Sequence, residues 1–257
     1  MKFAATIGSY AMPEFVELNI LALRHVFGHD LPILVSDDWS DKSVEIRDLA
    51  AFYGVHHTCS ESSRGHFAGD CQAAVNALAF AEAEHADVAL KISQRTVLCE
   101  PVCRQILERY FSDPNVWLVL PARIPPRTIK RAESRFFSNM AVQTDLLAIR
   151  TGTMRPDELK DIYESKVRGN KMRHASLIEG LWADMIDTKF ATHYVLAQEF
   201  TTPYPGRAPL YLRKCQQEPA AYLILADRLG MKWTGHPPLL QEWKQLSDFY
   251  RPVPTFI

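Results

Sequence analysis

The stretch Val88-Ala89-Leu90-Lys91-Ile92-Ser93-Gln94-Arg95 constrains the chain more than any other, because an apolar run suited to a buried central strand stops abruptly in polar side chains. Val88 to Ile92 reads as the strand and Lys91 to Arg95 as its carboxyl-terminal exit. In an open α/β sheet such exits surround the crevice at the topological switch point, where ligands bind. The chemistry of this chain is therefore expected at this exit and the loops beside it.

The residues ahead of that strand alternate between strand and helix patterns. Phe3 to Ile7 is an apolar run followed at once by Gly8, Ser9 and Tyr10, a strand ending in a loop near the crevice. Pro13-Glu14 opens a helix whose apolar residues Phe15, Leu18, Leu21, Ala22 and Val26 recur at helical spacing, and Gly28 closes it. Leu31 to Val35 is a second strand, delivering Ser36-Asp37-Asp38-Trp39-Ser40-Asp41 to the same sheet edge. Ser43 is expected to cap a helix from Val44 to Tyr53, and Gly54 to His57 begins another strand. A polar loop from Ser60 to Gly69, holding Arg64, Gly65 and His66, leads to Asp70 as the cap of a helix from Cys71 to Ala83. Past the organising strand, Pro101 opens a helix to Phe111, and Val116 to Leu120 is a further strand. Five strands of parallel type in the first 120 residues predict helical, right-handed crossovers and an α/β fold.

Beyond Leu120 the texture changes. Pro121 to Arg135 is proline-rich and basic, with Arg123, Arg127, Lys130, Arg131 and Arg135, and reads as a loop or lid that is either a solvated basic face or an attractor for an anionic ligand. Asn139 to Ile149 returns to strand-like alternation, with Asp145 inside it. Helical stretches are expected around Asp157 to Lys166, Ala175 to Asp187, Glu218 to Gly230 and Gln241 to Tyr250, with a proline-rich connection from Thr201 to Pro209. No linker divides the 257 residues, so the expectation is one continuous domain, its first half at 1–120 and its second at 121–257.

A formal charge of -1 at pH 7 gives no electrostatic footprint for nucleic acid. The amino terminus lacks the pattern of a signal peptide and no run is long enough to span a bilayer, which places the expectation in the cytoplasm. The five cysteines, Cys59, Cys71, Cys99, Cys103 and Cys215, show no paired metal spacing and read as free thiols. The nine histidines contain no HExxH-like spacing, and no phosphate loop, dinucleotide fingerprint or serine-hydrolase elbow is present.

Three pieces, in order, carry a resemblance. Ile33-Leu34-Val35-Ser36-Asp37-Asp38-Trp39-Ser40-Asp41 is similar to the VDDGSxD segment of family 2-like glycosyltransferases, Gly65 through Asn76 to their GxxxARN helix entry, and Val88 to Thr96 falls where they place the strand ending in the metal-binding DxD. The resemblance covers about the first 120 residues and implies a single GT-A-like domain: a Rossmann-like, mostly parallel sheet flanked by helices, with a helical carboxyl-terminal acceptor side. It implies a nucleotide-sugar donor and a glycan or lipid-linked glycan acceptor, with a homo-oligomer as an open expectation. Gly8, Ser9 and Tyr10 would line the nucleotide, Asp37 or Asp38 would accept from the base or ribose, and Arg64, His66 and Asp70 would approach it from the next loop. Read without the resemblance, Asp37-Asp38 is a polar turn capping a helix.

The departure from the pattern lies at the organising strand, where Ser93-Gln94-Arg95 stands in place of DxD. Those side chains cannot form the carboxylate-rich site that Mg²⁺ or Mn²⁺ requires, so no cofactor is expected, a divalent metal included. A guanidinium can offset the charge of a departing diphosphate instead, which makes Arg95 the candidate, with Lys91 and the basic segment around Arg123, Arg127 and Lys130 as helpers; Lys91, Ser93 and Arg95 would share one side if the extended geometry persists. The competing reading pairs Lys91 and Arg95 with Asp37, Asp38 or Asp70. For a general base the resemblance implies a carboxylate on the acceptor side, with Glu179 first, Trp182 beside it to stack on a sugar, and Asp145 second. Glu179 also reads as an exposed helix carboxylate and Asp145 as a hydrogen-bonded buried group. The loss of DxD leaves a non-catalytic binding protein as the rival, while a sugar nucleotidylyltransferase would need a glycine-rich first loop that Gly8-Ser9-Tyr10-Ala11 does not supply.

Overall fold

The computed structural model describes residues 1–121, 144–168, 181–182, 185–200, 211–213 and 219–232. Seven strands form the main sheet in the order β3-β2-β1-β4-β7-β6-β8. They are β1 (Phe3–Ser9), β2 (Ile33–Asp37), β3 (His56–Cys59), β4 (Val88–Ser93), β6 (Leu118–Pro121), β7 (Leu146–Arg150) and β8 (Tyr194–Ala197). Every neighbouring pair is parallel except those made by β7, which runs antiparallel to β4 and β6. Two short antiparallel strands, β5 (Thr96–Leu98) and β9 (Tyr211–Arg213), form a second sheet just past the β4 exit.

The crossovers are the expected helices. Pro13, at the first position of α1 (Pro13–Phe27), has no N–H to leave unsatisfied, and Gly28 closes the helix at φ 102. Helices α2 (Ser43–Phe52) and α4 (Val102–Phe111) join α1 on one face of the sheet, where Phe3, Ile7, Val35, Leu90 and Ile92 meet Val16, Ile20, Ile46 and Leu107 in one apolar cluster. On the other face α3 (Gly65–Ala83) packs Ala74, Leu78 and Ala81 against Ala89, Leu118, Leu147 and Ile149, with α5 (Pro156–Arg168) outside it. Helix α6 (Pro219–Arg228) covers the small sheet, Tyr222 edge-on to Phe15 of α1. A single π-helical turn, Ile186–Phe190, precedes β8.

Several expectations are corrected. β2 begins at Ile33 and β3 at His56, each two residues later than the apolar pattern suggests, because Pro32 has no N–H for the ladder and Gly54 takes a left-handed turn at φ 62. Ser43 is the first residue of α2 rather than its cap, and its hydroxyl accepts from the Ser40 N–H at 2.7 Å. The loop read from Ser60 to Gly69 ends at Arg64, and Asp70 lies inside α3 instead of ahead of it. Asp145 precedes β7 rather than lying within a strand. The basic segment, the 139–143 part of the strand-like run, the Thr201 to Pro209 connection and the stretch at 241–250 lie outside the described residues. Of the stretch at 175–187, positions 175–180 and 183–184 do as well. No helix among the described residues is long and apolar enough to cross a membrane.

Candidate functional site

Chain order reverses between β1 and β4: β2 and β3 are laid down on one side of β1, and β4 on the other. The carboxyl ends of these strands therefore open a crevice at the switch point. Strand register brings Asp37, Ser9, Gly8, Ser93 and the residue before β7 to one edge. Ser9 pairs with Asp37, Gly8 with Ser36 and Ser93, and the Ser93 N–H donates to the Asp145 carbonyl at 2.8 Å. Asp145 thus reaches the crevice because β7 is antiparallel and begins where β4 ends.

Helix α3 lies very close to this edge. A Cβ on Gly8 would stand 3.0 Å from that of Ala73, and one on Gly69 would stand 2.8 Å from Asp38 Oδ2. Asp38 itself caps α3: its carboxylate accepts from the backbone N–H of Arg64 at 3.0 and 3.1 Å and of Gly65 at 3.1 Å, with Ser60 and Ser63 hydroxyls at 3.3 and 3.4 Å. The helix-capping reading of the acidic pair is therefore the one realised for Asp38, though on α3 rather than on the next helix.

Asp37 is different. It is buried, one carboxylate oxygen receives only the Cys59 thiol at 3.5 Å, and the other has no hydrogen-bond partner. It borders a cavity of about 100 Å³ shared with Ser36, Cys59, Arg64, Gln72 and Asn76. Asn76 donates to Ser36 at 2.8 Å, Gln72 donates to Asn76 at 2.8 Å, and the Arg64 guanidinium donates to Gln72, so one face of α3 presents a connected row of polar groups. Partial desolvation, with Asp37 beside it, raises the Cys59 thiol above its ordinary value. Burial also lowers His57 on β3, against the pull of nearby Asp37.

At the β4 exit, Lys91 is fully buried and its ammonium has three acceptors: the Asp70 carboxylate, Ser93 Oγ at 3.0 Å and the Thr144 carbonyl at 3.0 Å. Ser93 Oγ is 3.2 Å from Asp70 Oδ1. The pairing of Lys91 with Asp70 is the competing reading of Lys91, and it removes Lys91 as a contact for a diphosphate. Gln94 clamps the first loop: the Tyr10 N–H donates to its Oε1 at 2.7 Å and its Nε2 donates to the Tyr10 carbonyl at 2.9 Å. The Gln94 carbonyl accepts from buried Asn19 at 2.6 Å.

The chain turns at Gln94-Arg95, so Arg95 does not continue the face of Lys91 and Ser93. Its Nε points to Met12 Sδ at 3.0 Å, and its carbonyl accepts from Tyr222 at 2.7 Å. His66 falls in the first turn of α3. Glu179 lies outside the described residues, while Trp182 is buried in the core behind α3.

Ser93, Gln94 and Arg95 bring no carboxylate to the β4 exit, where a divalent cation favours charged oxygens, and the Ser93 hydroxyl and Gln94 amide are already bonded within the protein. Among the described residues no group of three or more His, Cys, Asp and Glu is arranged to hold a metal ion. Sequence reasoning missed Ser36, Cys59, Gln72 and Asn76. The signal lay in the spacing of Gly69, Gln72 and Asn76 on one helix face, visible only to a reading that starts α3 at Gly65.

This seven-stranded, mostly parallel sheet with flanking helices is the fold of the GT-A-like nucleotide-diphospho-sugar transferases. Among solved structures, the apo-form glycosyltransferase GlyE of Streptococcus pneumoniae TIGR4 aligns with a TM-score of 0.53 at 12% identity, over 96% of this chain and 64% of that one. Glucosyl-3-phosphoglycerate synthase from Mycobacterium tuberculosis, in complex with phosphoglyceric acid, aligns with a TM-score of 0.52 at 12% identity over 91% of this chain and 82% of that one. The same enzyme with Mn²⁺, uridine diphosphate and glucosyl-3-phosphoglycerate gives 0.51 at 12% identity, with the same coverage. At such identity the likeness is one of fold. No protein-family profile matches the sequence, and no curated protein does.

Proposed function

We propose that the chain is a glycosyltransferase that moves a sugar from a nucleotide-sugar donor to a hydroxyl of a glycan or lipid-linked glycan. The observation that carries this reading is the polar row along the carboxyl edge of a GT-A-like sheet, from the unpartnered oxygen of Asp37 through Gly8, Ser9 and Ser93 to Asp145. The cavity at Asp37 takes the nucleoside, whose N–H groups can satisfy the open carboxylate oxygen. The diphosphate lies over β1 and β4, and the sugar and acceptor lie toward β7.

Transfer forms a bond between the sugar's anomeric carbon and the acceptor oxygen as the bond to the diphosphate breaks. A carboxylate takes the acceptor proton, and Asp145 and Glu179 are the candidates. The donor set at the β4 exit favours transfer without a divalent cation, with Arg95 offsetting the charge on the departing diphosphate. A non-catalytic descendant of the fold is the second reading, favoured by the internal neutralisation of Lys91 by Asp70.

Calorimetric titration with UDP, GDP, CDP, CMP and dTDP, each with and without excess EDTA, tests both. Saturable binding of one nucleotide that survives EDTA is the expected result. Binding that requires added Mg²⁺ or Mn²⁺ would remove the metal-free part of the reading, and no binding at all would favour the non-catalytic one.

A further inference from the structure

Trp39 holds a backbone conformation that its side chain disfavours. Its φ is +31°, in the left-handed region where a Cβ crowds the backbone and where a bulky aromatic residue is a genuine outlier. The motif this segment resembles has glycine at that position. The backbone on both sides is pinned: the Asp38 N–H donates to the Ser9 carbonyl at 2.9 Å, and the Ser40 N–H donates to Ser43 Oγ at 2.7 Å. The conformation is therefore imposed by the fold, and the side chain has to tolerate it.

Trp39 is 50% exposed. No ring, cation or hydrogen-bond partner engages its indole among the described residues. Backbone strain that the surrounding structure imposes clusters at functional positions. Trp39 directly follows Asp37 and Asp38, which border the polar cavity, and its backbone N–H lies near the sulfur of Cys59, another lining residue. The cavity is lined mainly by polar groups, carboxylates, amides, hydroxyls and a guanidinium, and no aromatic ring is among its lining residues. What it lacks is a flat apolar face.

We propose that Trp39 supplies that face, stacking on the nucleobase of the donor while the cavity groups read the edge of the base. This deepens the donor-site reading above and rests on it. A planar heteroaromatic ring is the ligand chemistry that matches an exposed indole beside edge-directed donors and acceptors, because every base has a π face. Trp39 is thus a specificity-determining contact for nucleosides over other diphosphates.

The test separates the ring from the backbone. Wild type, Trp39→Gly, Trp39→Asn and Trp39→Phe are titrated with UDP, GDP, CDP and dTDP and with inorganic pyrophosphate, and their thermal midpoints are measured. Glycine and asparagine suit the left-handed backbone and remove the ring, so both variants should fold, with the glycine variant melting at or above wild type. Both should bind the preferred nucleotide about tenfold or more weakly, the range that loss of one base stack implies, while Trp39→Phe stays close to wild type. Pyrophosphate affinity should not change in any variant. Wild-type nucleotide affinity in Trp39→Gly would overturn the stacking role alone, as would an equal loss for nucleotide and pyrophosphate. Failure of the wild-type protein to bind any nucleoside diphosphate would instead bring down the donor-site reading and this inference with it.

Discussion

Gly69 is fixed by a distance: no side chain fits where Asp38 Oδ2 would stand 2.8 Å from a Cβ and Asp38 Cγ 2.9 Å. Gly69→Ala must push the carboxylate off the N–H groups of Arg64 and Gly65, so it should lower stability by about 1–3 kcal/mol through combined overpacking and loss of the cap. Urea midpoints check this, and the double variant with Asp38→Ala should be less destabilised than the two single losses added together. Strict additivity would show that the two residues act independently. His57 carries a second prediction at this scale. Burial holds its imidazole below the ordinary value, with Arg47 adding to the effect and Asp37 opposing it. The unfolded chain then takes up a proton near pH 6.5 while the folded one does not, so this contribution to stability is present above that pH and is lost as pH falls below it. Thermal midpoints between about pH 7.5 and pH 5 should fall less steeply in His57→Leu than in wild type. Parallel curves would refute the assignment.

At the level of elements, β4, α3 and the residues before β7 are held together by one ammonium. Lys91, itself fully buried, reaches Asp70 on α3, Ser93 on its own strand and the Thr144 carbonyl. Lys91→Met should destabilise by about 3–5 kcal/mol because Asp70 is left buried and charged without a cation. Adding Asp70→Leu should recover much of that loss, since an apolar pair of similar volume is often no worse than the buried ion pair. If the double variant were as unstable as Lys91→Met alone, the packing of the lysine stem rather than its charge would be what matters. The elements themselves were largely legible in the sequence: strand, helix and breaker signals point to α1, α2, α4, β4 and the parallel direction of the first five main-sheet strands. What the sequence hid were contacts between residues far apart along it. An acidic residue before an alanine-rich run looks like a cap, so Asp70 reads as one, while the true cap of α3, Asp38, stands 26 residues ahead of Arg64. Gln94 likewise looks like a free polar group at a strand exit until Tyr10 is seen folded against its amide.

On the scale of the whole molecule, the order of strands decides which candidate residues belong to one site. Asp37 on β2 and Asp145 ahead of β7 are separated by β1 and β4, three strand spacings or about 14 Å along the crevice edge. No local pattern in the sequence fixes this distance, because it depends on β4 crossing to the far side of β1 and on β7 returning antiparallel between β4 and β6. If one extended donor lies along that edge, its two ends make independent demands on the protein. Asp37→Asn should weaken binding of the preferred nucleoside diphosphate by about tenfold, the loss of one charged acceptor facing a base N–H. Asp145→Asn should leave that affinity unchanged within about threefold and lower the rate of sugar transfer, because it faces the sugar end. At such a separation the double variant should show the sum of the two effects, measured by titration for binding and by transfer of a radiolabelled sugar for rate. Weakened nucleotide binding in Asp145→Asn would mean that the nucleoside lies over β7 instead. The direction of the donor along the crevice would then be the reverse of the one proposed, and the cavity at Asp37 would have to serve the acceptor.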